Sequence, residues 1–256
     1  MSNMHKPAPR VAGKRLLVVG GTSDIGRAVA DAYAAKGWGI DLAARDVRGA
    51  ARNAGDIQTR HGIDHVAVHP IDILDTGSFE AFIDGLGDLP DTVVCVVGML
   101  GDQPRAQTDP DHATAIMRTN FEGPALLLEA LAGRFAARGR GLIVGISSVA
   151  GDRGRASNYV YGASKAGFSA YLSGLRNRFG QTNIRIVTVK PGFVRTSMTE
   201  GMDLPGVLTA TPEAVAQRIL ALEAGQTNVV YVLRAWRLIM GIIRSLPEPI
   251  FKRLKL

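Results

Sequence analysis

Apolar runs of strand length alternate with stretches of helical period along almost the whole chain. The runs are RLLVVG, GIDLAAR, HVAVHPID, DTVVCVVG, GLIVGISS, IRIVTVKPG and NVVYVL. Most are near-continuous, as expected of parallel strands covered on both faces. Helical patterns lie between them, including IGRAVADAYAAKG and YGASKAGFSAYLSGLRNRFG. A third, TPEAVAQRILALEAG, starts with Thr211 as N-cap and Pro212 at the first helical position. The alternation predicts an α/β fold, a Rossmann-type doubly wound parallel sheet of about seven strands in a single domain.

Length and composition agree with this. The chain has 256 residues, enough for one large α/β domain with a sizeable core. The lone cysteine, Cys95, excludes an internal disulfide framework and fits a reducing compartment. Its place inside TVVCVVG predicts a buried, inert thiol. No apolar stretch has the length of a signal peptide core or a bilayer span, so a cytoplasmic chain is expected. The expected organisation is a loose arm over residues 1–12, the main domain over 13–233 and a basic amphipathic extension over 234–256.

Charge marks that extension out. Six basic residues (Arg234, Arg237, Arg244, Lys252, Arg253 and Lys255) face one acid, Glu248, so the segment supplies +5 of the net +7. A helix over 234–246 would carry Arg234, Arg237 and Arg244 on one side and Trp236, Ile239, Ile242, Ile243 and Leu246 on the other. That pattern suits peripheral contact with an anionic membrane surface. The competing reading packs the helix on the domain with its arginines in solvent. Nucleic acid is not expected, because no aromatic stacking platform accompanies the bases.

The first run leads into GGTSDIG, residues 20–26, and then a helix. Strand, glycine turn and helix N-terminus together suit a pyrophosphate, with Gly20, Thr22, Ser23, Asp24, Ile25 and Gly26 as candidates. An acid, Asp24, stands where such loops often carry glycine. It is expected to point away from the phosphates and to cap the N–H groups of its own helix. The second run ends Ala44-Arg45-Asp46, with no acid at the place that bonds a ribose 2′-hydroxyl. The Arg45 guanidinium suits a 2′-phosphate, which favours NADP(H) and keeps NAD(H) as the alternative. Asp72 and Ile73 end the third run and offer a seat for adenine. Gly98 ends the fourth, where a missing side chain lets a cofactor approach. His61, His65 and His69 recur every four residues, but Gly62 interrupts any helix there and no metal site is expected.

The stretch GISSVAGDRGRASNYVYGASKAG holds the candidate chemistry. Tyr161 and Lys165 are four apart and share one helix face. Ser148 ends the fifth run, thirteen residues before Tyr161, and Asn120 lies in ATAIMRTNFEGPALLLEAL. A phenol is a poor acid–base group at neutral pH, and a nearby ammonium favours its anion. Tyr161 is then the candidate general acid and Ser148 the group that orients a carbonyl.

In order and spacing these motifs, with Lys190-Pro191-Gly192-Phe193-Val194-Arg195-Thr196, resemble the short-chain dehydrogenase/reductase family over residues 14 to about 200. The resemblance implies a catalytic set of Asn120, Ser148, Tyr161 and Lys165. Lys165 would hold the nicotinamide ribose and lower the Tyr161 pKa, while Asn120 would position a water linked to Lys165. Thr196, with the backbone at Val194, would hold the carboxamide after the Pro191-Gly192 turn, and all four would contact the cofactor. It also implies a homo-oligomer. The chain departs from the family in having Cys95-Val96-Val97-Gly98 where Asn-Asn-Ala-Gly is common, so another group must brace the site. GGTSDIG, VGMLGD, ISSVAGDRGR, KPGFVRTSM and the tail WRLIMGIIRSLPEPIFKRLKL resemble one subgroup, the decaprenylphosphoryl-2-keto-pentose reductases. That likeness implies a lipid-linked keto-sugar substrate, a flavoprotein oxidase partner and a role in cell-envelope synthesis at the cytoplasmic face of the membrane. A 3-oxoacyl reductase or a non-catalytic nucleotide-binding partner are the alternatives.

Overall fold

A computed structural model describes residues 13–254, so the expected N-terminal arm and Lys255 lie outside the described residues. The strands are β1 (Arg15–Val19), β2 (Gly39–Ala44), β3 (Val66–Pro70), β4 (Thr92–Cys95), β5 (Arg140–Ile146), β6 (Asn183–Lys190), β7 (Phe193–Val194), β8 (Thr209–Ala210) and β9 (Val229–Tyr231). Seven of them form one parallel sheet in the order β3-β2-β1-β4-β5-β6-β9. Each of the seven apolar runs supplies one of these strands. The chain reverses its direction of travel across the sheet between β1 and β4, which opens a crevice at the carboxyl ends of the strands.

The helices are α1 (Asp24–Ala34), α2 (Val47–His61), α3 (Phe79–Gly85), α4 (Gln103–Thr108), α5 (Pro110–Met117), α6 (Gly123–Arg138), α7 (Tyr159–Arg178), α8 (Pro212–Leu220), α9 (Arg234–Ser245) and α10 (Glu248–Phe251). Local chemistry sets their starts: Ser23 caps α1, Asp46 caps α2 and Thr211 caps α8, each accepting a first-turn N–H. Two apolar layers result, one on each face of the sheet, because residues of β1, β4 and β5 point alternately to either side. Cys95 is buried in one of them, and burial pushes its thiol up to about 11.

The histidine row serves structure. Asp41, fully buried in β2, accepts hydrogen bonds from His65 at 3.1 Å, His69 at 2.9 Å and the Arg15 guanidinium at 2.7 Å. Burial alone would raise this carboxyl, yet the two imidazoles and Arg15 hold it well below the usual carboxylate range.

The basic extension forms α9 and α10, and α9 packs onto the domain. Trp236 and Met240 are buried, with Ile239 and Ile243 half-buried beside them. The sequence placed Ile242 on the same side, but Ile242 is exposed and Leu238 is 70% exposed. Packing has rotated the helix so that a second, narrower apolar strip faces outward among the arginines. No helix among the described residues is long and apolar enough to cross a membrane.

Candidate active site

Gly20 turns the chain at a φ of 98° after β1, and its N–H and that of Gly21 donate to Ala43 O. Ser23 then caps α1 by accepting from Gly26 N at 3.1 Å. This corrects the expectation for Asp24. Its neighbour already holds the cap, and Asp24 reaches across to accept from Ser197 N at 2.7 Å and Ser197 Oγ at 2.8 Å. The acid stays clear of the crevice by clamping the segment after β7.

The crevice begins as a cavity of about 470 Å³ beside this loop. Gly20, Thr22, Ser23, Arg45, Asp46, Asp72, Ile73 and Gly98 all line it, whereas Asp24, Ile25 and Gly26 do not. Ala44 is buried at the end of β2, and Arg45 stands exposed at the rim with no acid in the strand-end place. Asp46 and Asp72 are already committed: Asp46 accepts from Gly49 N at 2.9 Å and Asp72 from Leu74 N at 2.9 Å. Each keeps its second carboxylate oxygen free for a ligand.

A second cavity, of about 200 Å³, continues from the first and shares Val96, Gly98 and Met198 with it. Ile25, Ser148, Tyr161, Lys165, Pro191, Gly192, Val194 and Thr196 line this one. The serine pair divides its work by the alternation of an extended chain. Ser147 Oγ donates to Lys165 O at 3.0 Å and meets Ser169 Oγ at 2.6 Å, fixing β5 to α7. Ser148 faces the cavity and accepts from Ala150 N at 3.1 Å. The Val149 N–H donates to Pro191 O at 3.0 Å, which ties the serine turn to the turn after β6.

Lys165 is 3% exposed and donates to Ile146 O at 3.1 Å and Val97 O at 3.5 Å. Burial lowers its pKa to about 8. The phenol of Tyr161 moves the other way. Burial raises its pKa, and the hydrogen bond with Ser148 offsets this only in part. The Lys165 ammonium is turned to the two carbonyls and lies 5.9 Å from the Tyr161 ring centroid.

Asn120 is completely buried in a π turn, Arg118–Glu122, that interrupts the helix between α5 and α6. Its Oδ1 accepts from Met99 N at 3.0 Å, and its Nδ2 donates to Met99 O at 2.7 Å and Ile116 O at 2.8 Å. This is the brace that the apolar Val96-Val97 left unassigned. Gly98 sits inside it: a Cβ there would lie 3.1 Å from Asn120 Oδ1 and 3.3 Å from Lys165 Nζ.

The sequence model described as short chain dehydrogenase matches residues 14–204. The chain belongs to the short-chain dehydrogenase/reductase family. An uncharacterised oxidoreductase of Mycobacterium tuberculosis is 37% identical over 244 residues, 93% of this chain and 96% of that protein. A 3-oxoacyl-(acyl-carrier-protein) reductase of Bos taurus is 32% identical over 191 residues, 73% of this chain and 78% of that protein. Among solved structures, a variant of actinorhodin polyketide ketoreductase with NADPH superposes with a TM-score of 0.78 at 21% identity, covering 88% of this chain and 97% of that one. At that identity the likeness concerns the fold.

This short-chain dehydrogenase/reductase builds its site from more than the expected residues. Trp236 of α9 forms a wall of the second cavity. It donates from Nε1 to Leu208 O at 3.0 Å and meets Phe193 edge-on at 5.5 Å. The fit is close enough that a Cβ on Gly192 would lie 1.9 Å from Trp236 Nε1. Leu100, Arg155, Asn158, Met198 and Met202 complete the walls. The sequence signal for Trp236 was there, since Trp236, Ile239, Met240 and Ile243 follow helical spacing. The element they cover carried no such signal.

Proposed function

We propose that this enzyme is an NADP(H)-dependent reductase that converts the ketone of a lipid-linked keto-pentose to the alcohol, with Tyr161 as general acid. The observation that carries the reading is the convergence of Ser148, Tyr161 and Lys165 on a cavity continuous with the groove headed by Arg45. The residues present fit a dinucleotide. Gly20, Thr22 and Ser23 offer a cradle for pyrophosphate, Arg45 a partner for a 2′-phosphate, and Asp72 and Ile73 an adenine seat. The same fold holds NADPH in the actinorhodin ketoreductase. When bound, the cofactor supplies the hydride.

The chain supplies the rest. Ser148 orients the carbonyl oxygen by hydrogen bonding, and the Tyr161 hydroxyl donates its proton to that oxygen as the carbon is reduced. A phenol is protonated at neutral pH, so the Tyr161 hydroxyl holds the proton that this direction of reaction requires. Lys165 holds ribose hydroxyls, Asn120 fixes the wall behind Lys165 and the water beside it, and Thr196 with the Val194 backbone holds the carboxamide.

Two features favour a lipid-linked substrate. The catalytic cavity has apolar walls, among them Leu100, Val149, Met202 and Trp236. The outer face of α9 and α10 presents Leu238, Ile242, Ile250 and Leu254 beside Arg234, Arg237, Arg244, Lys252 and Arg253. That combination suits an anionic lipid surface, where such a substrate and its flavoprotein oxidase would reside. Met117, Phe121 and Leu126 are exposed around α5 and α6, where a second copy of the chain would cover them.

The test is NADPH and NADH consumption with a polyprenylphosphoryl-2-keto-pentose, generated by a flavoprotein oxidase, and with a 3-oxoacyl thioester. NADPH-dependent formation of the arabinose epimer is expected. Turnover confined to the thioester would favour the reaction named for the bovine relative. Failure to reduce any ketone would overturn the assignment.

A further inference from the structure

Three buried side-chain polar atoms lack a hydrogen-bond partner among the described residues: Arg155 Nε, Asn158 Oδ1 and Gln103 Nε2. Two of the three belong to one corner of the catalytic cavity. Arg155 and Asn158 line it beside Ser148 and Tyr161. Gln103 packs against the first turn of α7, accepting from Val160 N at 3.0 Å.

The charge inventory of this corner is uneven. Arg153 and Arg155 leave the same loop. Arg153 donates to Ile243 O and Leu246 O at 2.6 Å each and to Glu248 at 2.8 Å, and it stacks on Phe251. Arg155 forms no ion pair among the described residues. Its contacts are Val149 O at 3.5 Å, at the limit of a hydrogen bond, and Met240 Sδ at 3.9 Å. The carboxylate nearest in sequence, Asp152, is held by Lys190 and by Tyr231 at 2.7 Å. Burial pulls the Arg155 pKa down, with only distant help from Asp152.

A half-buried guanidinium without a counter-ion costs stability, and so does a buried amide without partners. Such groups persist where a ligand completes them. The site also lies at the positive end of α7, whose N-cap Asn158 makes no side-chain cap bond. The unmet groups include a charged donor and a neutral acceptor, which is the complement of an oxyanion next to a hydroxyl.

We propose that Arg155 is the anion subsite of the catalytic cavity. It takes a phosphate ester carried by the keto-sugar, while Asn158 holds a neighbouring sugar hydroxyl. This rests on the reductase reading of the cavity and names what the substrate must carry besides its ketone. The apolar walls then receive what lies beyond the phosphate, and Arg155 sets the distance between anion and carbonyl.

Calorimetric titration of the full chain tests this, with NADP⁺ saturating so that the Arg45 end of the groove is filled. The probes are ribose 1-phosphate, methyl phosphate, ribose and acetate. Ribose 1-phosphate is expected to bind at least ten-fold more tightly than ribose, and Arg155→Met to lose at least ten-fold of that affinity. Arg155→Lys, which keeps the charge without the fork, should fall between. Because the guanidinium is uncompensated, Arg155→Met should unfold at the same temperature as the parent or higher.

Equal binding of ribose and ribose 1-phosphate would overturn the subsite. So would an Arg155→Met chain with unaltered phosphate affinity and a lowered unfolding temperature, which would make Arg155 a strut for α9. Acetate binding as tightly as methyl phosphate would overturn the assignment to phosphate. Cyclohexanone reduction with NADPH by the unaltered chain separates the two readings. Turnover there without any phosphate binding removes the subsite and leaves the reductase. Phosphate binding without turnover of any ketone removes the reductase and leaves the subsite.

Discussion

Asp24 and Ser197, 173 residues apart, are joined by two hydrogen bonds to one carboxylate oxygen, 2.7 Å from the backbone N–H and 2.8 Å from the hydroxyl. The bond closes the segment after β7 over the groove. That segment carries Met198, which lines both cavities, and Met202, which lines the second. Asp24→Ala should therefore raise the KM for NADPH several-fold. The pair is exposed, so stability should fall by only about 1 kcal/mol. Titration with NADPH and a urea melt check this. Unchanged cofactor affinity would make the clamp irrelevant to the site.

Tyr161→Phe removes the hydroxyl proposed as proton donor and keeps the ring. Turnover should fall by about 10²–10⁴-fold, as for loss of a general acid. NADPH affinity and unfolding temperature should barely move. Steady-state rates with cofactor titration decide it, and full activity in the variant would end the assignment of Tyr161.

Lys165 should make stability depend on alkaline pH. Its pKa in the folded chain is about 8, below the ordinary lysine value, so the unfolded chain binds more protons above that point. Stability then rises with pH from about 8 towards 10, by at most about 3 kcal/mol from this group. The Cys95 thiol, raised to about 11, opposes part of this rise from the ordinary thiol value near 9 upward, and the raised pKa values of Tyr33 and Tyr171 oppose it only above the ordinary tyrosine value near 10. Urea melts between pH 8 and 10 should show the rise in the parent and its loss in Lys165→Met.

Trp236 links the C-terminal helix to the site. It is 5% exposed and rests on Gly192 and Phe193. Trp236→Ala should cost about 3–5 kcal/mol, as for truncation of a large buried ring. Trp236→Phe should cost less, chiefly the bond to Leu208. Both should raise the KM for NADPH, because the turn at Pro191 and Gly192 loses its cover. Denaturant melts and cofactor titrations on the two variants check this.

Arg45→Ala should narrow the preference for NADPH over NADH by about ten-fold or more, since a charge-assisted pair to a 2′-phosphate is lost. The ratio of kcat/KM for the two cofactors measures it. An unchanged ratio would show that Arg45 is a solvated strand-end cation.

The apolar pattern laid out the sheet, and the motifs named many of the residues that line the two cavities. Parallel strands buried on both faces read as unbroken apolar runs, and the residues at their carboxyl ends fall in the crevice by topology alone. Ser148 was legible for that reason, as were Gly20, Arg45 and Gly98, whereas Tyr161 and Lys165 were legible from their spacing of four on one helix face. Tertiary structure decided what spacing does not encode. Asp24 turned to Ser197 rather than its own helix because Ser23 had already taken the cap. The Tyr161 phenol went up rather than down because burial outweighs the hydroxyl of Ser148, while the Lys165 ammonium points at two carbonyls. Asn120 became the brace for the wall that apolar residues had left unsupported. The basic helix carried one apolar face too many, and only packing could choose which face, led by Trp236 and Met240, would turn inward to close the catalytic cavity.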